Sequence, residues 1–349
     1  MPVNTRPRRI EGLDQKLCQN NTALIADTLH FESELPIIEL ANAISDRVPG
    51  PHFGLVDPRK HADTTCLIEN AHRMYGLFRD QGLKGNDIII NIPATEAGIY
   101  ATQQLQEDGI NINLCCVTNL IHAVACAEVK ATAISIAVGP LLELYEQKRK
   151  TIYPNPSKHP GIETIQSILA YFKLHGIRTK VVGTRFRTLA EIGLLSDCDA
   201  VCVSAEHAEK MKWSSVPTTS LDDYGPEHPA VFRARQAKYP MDLLKNAKGT
   251  GGFSRWLSPE SRNMTCELLD EVLQEMESQM ASIEQVVEIE IKRRYEQGTT
   301  PLKELYRRLD AERAKSSQSP KVVLVREMWQ GLFTPVTSLG VEQAIDEVF

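Results

Sequence analysis

A chain of 349 residues with 42% hydrophobic content can bury a large core, and its formal net charge of -6 excludes a broadly basic nucleic-acid-binding surface. Eight cysteines without a CxxC pair argue against a disulfide framework and for reduced thiols in a cytoplasmic protein. No apolar run approaches the ~20 residues of a membrane helix. The basic start MPVNTRPRRIEG is not followed by the apolar segment of a secretory signal, although a weak transit signal stays open. No repeat and no metal-ligand spacing occurs, so neither a metal nor another cofactor is expected, and neither a membrane nor a nucleic-acid partner.

Residues 1–20 read as an N-terminal tail. Thr22–Thr28 (TALIADT) predicts a first strand with Asp27 at its C-terminal end. No second strand is legible in Phe31–Ile44. Phe53–Arg59 (FGLVDPR) predicts the next strand, with Asp57 as a strand-end carboxylate pairing Arg59. Asp63–Gly82 is an amphipathic helix stopped by glycine. Three short, nearly unbroken apolar runs come next, Ile88–Ile92, Ile112–Val117 and Ala133–Val138, the pattern of parallel strands buried on both faces. They alternate with helices at Thr95–Gln106 and Asn119–Lys130, the latter with Leu120, Ala123, Val124 and Ala127 on one side. Strand, helix, strand, helix, strand is the signature of βαβ units.

Residues 140–160 read as a polar loop, Gly161–His175 as a helix, and Thr179–Gly183 and Ala200–Ala205 as the last two strands. Glu206–Lys248, with four prolines at 217, 226, 229 and 240, reads as irregular, and the glycines that come after Lys248 as a linker rather than a phosphate loop. Ser258–Arg294 is a long helix whose stripe of Leu269, Leu273, Met276, Met280, Ile283 and Val287 serves packing. Beyond it lie a charged helix (Pro301–Lys315) and an apolar stretch, Val322–Phe333, too apolar to stay exposed. It is expected to dock on its own barrel or on a second subunit. The fold class is therefore α/β, a (β/α)8 TIM barrel over residues 21–295 with additional C-terminal helices in 296–349. Such barrels run to ~250 residues as one domain, and their chemistry sits at the C-terminal strand ends. Those ends carry Asn91, Cys115, Cys116 and Ser135.

Ala94-Thr95, Gly98-Ile99, Gly109-Ile110, Asn113, Ala125-Cys126-Ala127-Glu128 and Ile134-Ser135 through Val138-Gly139 keep the order and spacing found in one family. The chain resembles the transaldolases, Schiff-base aldol-transfer enzymes of the pentose phosphate pathway. Ala26-Asp27-Thr28, Val56-Asp57-Arg59 and the segment TRFRTLAEI extend the resemblance. It also departs from the family. The slot of the imine-forming lysine holds Asn91, that of the water-holding glutamate holds Leu55, and the arginine after Val-Gly is Pro140. The family's second-strand TTNPS motif is not found.

The resemblance implies roles. Asp27 would shuttle protons, against the plainer reading of a strand-end cap. Asn113 would touch substrate, and Arg187, assisted by Ser135, would hold a substrate phosphate through paired guanidinium hydrogen bonds. The plainer reading of Arg187 is a helix-start arginine bonding a loop carbonyl. Cys115 stands where the family has threonine. A Cys115-Cys116 nucleophile would need an electropositive or base-paired setting, and His122, on the next helix, is expected to point elsewhere. Only one of the two thiols faces the lumen, so packing is the expected role. Lys84, Lys130 and Lys180 precede their strands. Lys60 comes after one; it reads first as a solvated loop residue, with an alternative amine as the second reading.

An amide nitrogen has no lone pair available for carbonyl attack, which excludes an imine at position 91. The expected function is a transaldolase-like enzyme repurposed for a carbon-carbon lyase, cyclase or aldol-type step on a small anionic or carbonyl-containing substrate. Asp27 and Asn91 would be catalytic, and Asn113, Cys115, Ser135 and Arg187 would bind substrate. Two alternatives stay open: a genuine transaldolase, and a non-catalytic binding or scaffold protein that uses the tail as its contact surface. Transaldolases are often dimers, so a homodimer is the expected assembly.

Overall fold

The computed structural model describes residues 51–239, 243–244 and 252–296. The expected first strand with Asp27, the second-strand region, most of the glycine-rich linker and the extension past residue 296 lie outside the described residues. The chain divides into two compact units, 45–277 with 341–349, and 1–44 with 278–340. The first unit holds the whole of the described sheet.

Six strands form one parallel sheet: β1 (His52–Leu55), β2 (Ile88–Pro93), β3 (Ile112–Cys115), β4 (Ala133–Ala137), β5 (Lys180–Thr184) and β6 (Ala200–Val201). Each pairs with its neighbours in sequence, in register Leu55 to Asn91, Asn91 to Asn113, Leu114 to Ile134 and Ser135 to Val182. Nine helices accompany it among the described residues: α1 (Thr64–Asp80), α2 (Glu96–Glu107), α3 (Leu120–Glu128), α4 (Val138–Arg149), α5 (Pro160–His175), α6 (Leu189–Leu194), α7 (Ala205–Trp213), α8 (Pro229–Gln236) and α9 (Pro259–Glu296). This is a run of successive strand–helix units, the α/β architecture expected. Among the described residues no helix is long and apolar enough to cross a membrane.

Local chemistry starts the helices where the sequence offers an acceptor. Asp63 accepts from Cys66 N at 3.0 Å, Thr95 from Gly98 N at 3.1 Å, and Asn119 from His122 N at 3.0 Å. Each side chain satisfies one of the orphan donors of a first turn. Thr188 and Glu191 complete a reciprocal capping box. Gly176, at φ 60°, ends α5 in the left-handed region that glycine enters without strain.

The two faces of the sheet differ. Gly54 lies against Met74 and Phe78 of α1. Its partner Ile90, and in turn Ile112 and Leu114, are fully buried. The residues between them point the other way by pleat alternation: Leu55, Asn91, Asn113 and Ser135. The helix-packed face is therefore almost wholly aliphatic and the opposite face carries the polar groups.

The periodicity of the sequence places β2 to β5 to within two residues. It misleads over 140–160, where α4 starts directly at the end of β4. Gly139-Pro140 reads as a helix breaker, but a proline in the first turn gives up only an N–H that lacks a partner anyway. Gly139 also serves packing: a Cβ there would lie 2.7 Å from Arg185 O and 2.9 Å from Arg187 Cγ. The last expected strand shrinks to Ala200–Val201, because Ser204 caps α7 by accepting from His207 N at 3.2 Å. The segment expected to be irregular holds α7 and α8; Pro229 opens the latter at a favourable position.

Candidate functional site at the strand ends

β2, β3 and β4 bring Asn91, Asn113 and Ser135 together. The Asn113 amide nitrogen donates to Asn91 Oδ1 at 2.8 Å and to Ser135 Oγ at 3.0 Å. Asn113 is 4% exposed and Ser135 6%, while Asn91 is half-buried. Both amide hydrogens of Asn113 are thus committed. Its Oδ1 is left buried with no hydrogen-bond partner among the described residues. An unmade buried acceptor costs about 1–3 kcal/mol, so this oxygen is a standing demand for a donor. Ser135 Oγ accepts from Asn113, which leaves its hydroxyl hydrogen free to donate. The cluster carries no charge. Leu55 sits beside Asn91 across the β1–β2 pair.

Cys115 lies two residues on from Asn113 and shares its face; Cys116, at φ 68°, does not. A hydrogen bond with Cys116, and then burial, pushes the Cys115 thiol well above the usual range. Such a thiol is protonated and a poor nucleophile, in keeping with a packing role.

His122 is fully buried and is held by structural contacts. Its Nε2–H donates to Ala94 O, just past β2, at 2.6 Å, and its Nδ1 accepts from Thr118 N at 3.3 Å. The ring stacks on Phe253 at 4.4 Å and 8°. Burial drives its pKa down from 6.5 to about 4, against the smaller pull of the Ala94 carbonyl. A depressed histidine contributes stability that is complete above its unfolded pKa and is lost as pH falls through its folded one. Between pH 6.5 and pH 4 the protein is therefore expected to lose ~3 kcal/mol through this ring alone. His122→Asn should start less stable and show a shallower acid slope in urea titrations. Equal slopes would refute the assignment.

Arg187 enters a different set of partners. Its Nε donates to Glu191 Oε1 at 3.0 Å, its backbone N to Glu191 Oε2 at 2.8 Å, and its Nη1 to both oxygens of Glu146 at 3.3 and 3.2 Å. Glu191 is 1% exposed and Glu146 21%. Buried His159 completes the group. Its Nδ1 accepts from Gly161 N at 2.9 Å, so the ring proton sits on Nε2, 3.3 Å from Glu146 Oε1. Burial holds its pKa below the usual value. Arg187 forms no hydrogen bond to Asn91, Asn113 or Ser135 among the described residues.

Asp57, 2% exposed, pairs with Arg59 Nε at 2.9 Å, as a strand-end carboxylate should. Lys180 opens β5, two strands from Asn113, and bonds Asp199 at 2.7 Å. Lys60 is exposed in a 3-10 turn after β1. Asp27 lies outside the described residues. Sequence reasoning missed Glu146 and His159. The TxxE signature of the Thr188–Glu191 box was legible and marks Glu191 as a local partner of that turn.

Comparison with known proteins agrees with this architecture. The family model described as Transaldolase/Fructose-6-phosphate aldolase matches residues 11–255. The chain is 34% identical to a transaldolase of Pseudoalteromonas atlantica over 226 residues, 62% of this chain and 71% of that protein. It is 32% identical to one of Shewanella amazonensis over 237 residues, 66% and 72% of the respective chains. It is 35% identical to one of Schizosaccharomyces pombe over 179 residues, 51% and 55%. A family match over well more than half of the chain, on a parallel sheet of successive strand–helix units, leaves one assignment: the chain belongs to the transaldolase/fructose-6-phosphate aldolase family.

Proposed function

We propose that the protein is a (β/α)8 barrel enzyme of this family that acts on a small hydroxycarbonyl compound without a lysine imine, in a carbon-carbon lyase, cyclase or aldol-type step. The observation that carries this reading is the neutral Asn91–Asn113–Ser135 cluster with its unpaired Asn113 oxygen. The buried acceptor calls for a ligand donor, a hydroxyl. Beside it the Ser135 hydroxyl can donate to a carbonyl oxygen. A hydroxyl adjacent to a carbonyl matches that pair, and polarising the carbonyl is the contribution neutral donors make to carbon-carbon chemistry. Asp27 remains the proposed proton carrier and Cys115 a wall of the pocket.

The test is thermal unfolding with dihydroxyacetone as the simplest neutral hydroxycarbonyl. The wild-type melting temperature should rise, by the equivalent of ~2.7 kcal/mol at a hundredfold excess over Kd. Asn113→Leu, which keeps the branched shape but has no hydrogen-bonding group, should show no rise. No shift in either protein, with no turnover of hydroxycarbonyl compounds, would favour a scaffold.

Transaldolase activity itself is the second reading, favoured by relatives that carry that name at 32–35% identity. It requires an amine at the strand ends, and Lys60 is the candidate there among the described residues. Turnover of fructose 6-phosphate that Lys60→Met abolishes would establish it.

A further inference from the structure

The Arg187 guanidinium is where a phosphate-bearing substrate would be expected to anchor, yet three features close it. Two carboxylates already occupy its donors: Glu191 on Nε and Glu146 on the fork. One arginine and two glutamates, with His159 neutral, sum to a net charge of -1. An incoming phosphate would meet repulsion at contact range rather than a waiting cation. The side chain is also aimed. Its Cγ lies beside Gly139 at the start of α4, and its fork reaches Glu146 seven residues later, about 10 Å along the helix. The side chain therefore lies along α4, between its first turn and Glu146. Neighbouring cations are engaged too: Arg185 pairs with Glu275 at 2.8 Å and Lys148 with Glu267 at 2.6 Å.

We propose that Glu146 and Glu191 close Arg187 into an internal ion triad, that the pocket therefore selects substrates without a phosphate group, and that Glu146 is the residue that sets this specificity. Glu191 is fixed by its second task, accepting from the backbone of Arg187 and Thr188. Glu146, partly exposed and bonded to the outer nitrogens, is the removable half. The identity of the substrate rests on the reading of a neutral hydroxycarbonyl given above; the triad does not.

Calorimetric titration of the full chain with inorganic phosphate tests the triad directly. Wild type should show no binding within the range of the titration, which sets a lower limit on its Kd. Glu146→Ala should bind with a Kd at least about tenfold below that limit, the effect of removing one close like charge, and Glu146→Ala/Arg187→Ala should lose that gain. Glu146→Gln, which removes the charge and keeps the volume, should move the same way and decides the matter if the alanine variant does not fold. Phosphate binding by wild type that Arg187→Ala abolishes would overturn the proposal, as would folded Glu146 variants that gain nothing. A second arm compares dihydroxyacetone with its phosphate ester. If the ester binds wild type more tightly through Arg187, the triad proposal falls while the neutral cluster stands. If dihydroxyacetone fails to bind but the inorganic phosphate results hold, the hydroxycarbonyl reading falls and the triad remains.

Discussion

Incubated with dihydroxyacetone and borohydride, Asn91→Lys is expected to gain the mass of a reduced adduct at position 91, whereas the wild-type chain gains none. Position 91 lies on β2, half-buried, and its side chain reaches the Asn113 amide at 2.8 Å. A lysine there would place its amine among Asn113, Ser135 and Leu55, with no carboxylate among those neighbours. Desolvation without a counter-charge lowers an ammonium pKa and leaves a nucleophilic amine at neutral pH. The expected contrast is all or none. A trapped adduct on a wild-type lysine would sink the imine-free reading, and one mapped to Lys60 would replace it with a displaced imine mechanism.

Gly98→Ala should be the most damaging methyl addition, costing about 3 kcal/mol or more. Gly98 occupies the first turn of α2, where a Cβ would run into the carbonyl oxygen of Pro93, with Ile92 Cγ2 at 3.1 Å. The obstacle is backbone and cannot rotate aside. Relief would need α2 to lift from the end of β2 and break the Thr95 cap that bonds Gly98 N. Gly109→Ala is the control: its φ of 78° strains any other residue, but nothing lies within 4 Å. Left-handed strain alone costs about 1–2 kcal/mol. Urea midpoints that rank Gly109→Ala as equal or worse would refute the close-approach argument.

The strands were legible because a parallel strand is apolar on both faces, so a lone Asn within Ile88–Pro93 or Ile112–Cys115 stands out as a site residue. Alternation then predicts which residues share a face, and Asn91, Asn113 and Ser135 do meet. The Arg187 triad was not legible. Glu146 and Arg187 are 41 positions apart, and their meeting depends on α4, which Gly139-Pro140 disguised as a loop. Charge partners chosen across a fold leave no periodic trace, whereas local devices do: Thr95, Asn119 and the Thr188–Glu191 box could all be read from spacing. His122 was expected to point away from Cys115; it is engaged with Ala94 O, and its burial reflects a neutral tautomer fixed at both nitrogens.

The sequential order of β1 to β6 has a consequence for how the chain is made. Each of β2 to β6 pairs with the strand that left the ribosome just before it, so each new unit finds its template edge already present. Loop closure then spans one helix at a time, or two between β4 and β5, and contact order stays low for a parallel sheet of this size. Nascent chains arrested so that Cys115 has just cleared the ribosome should already pair β2 with β3, joining Asn91 to Asn113 before Ser135 has emerged. The polar cluster would then be assembled in the order of translation, with its last member supplied by β4.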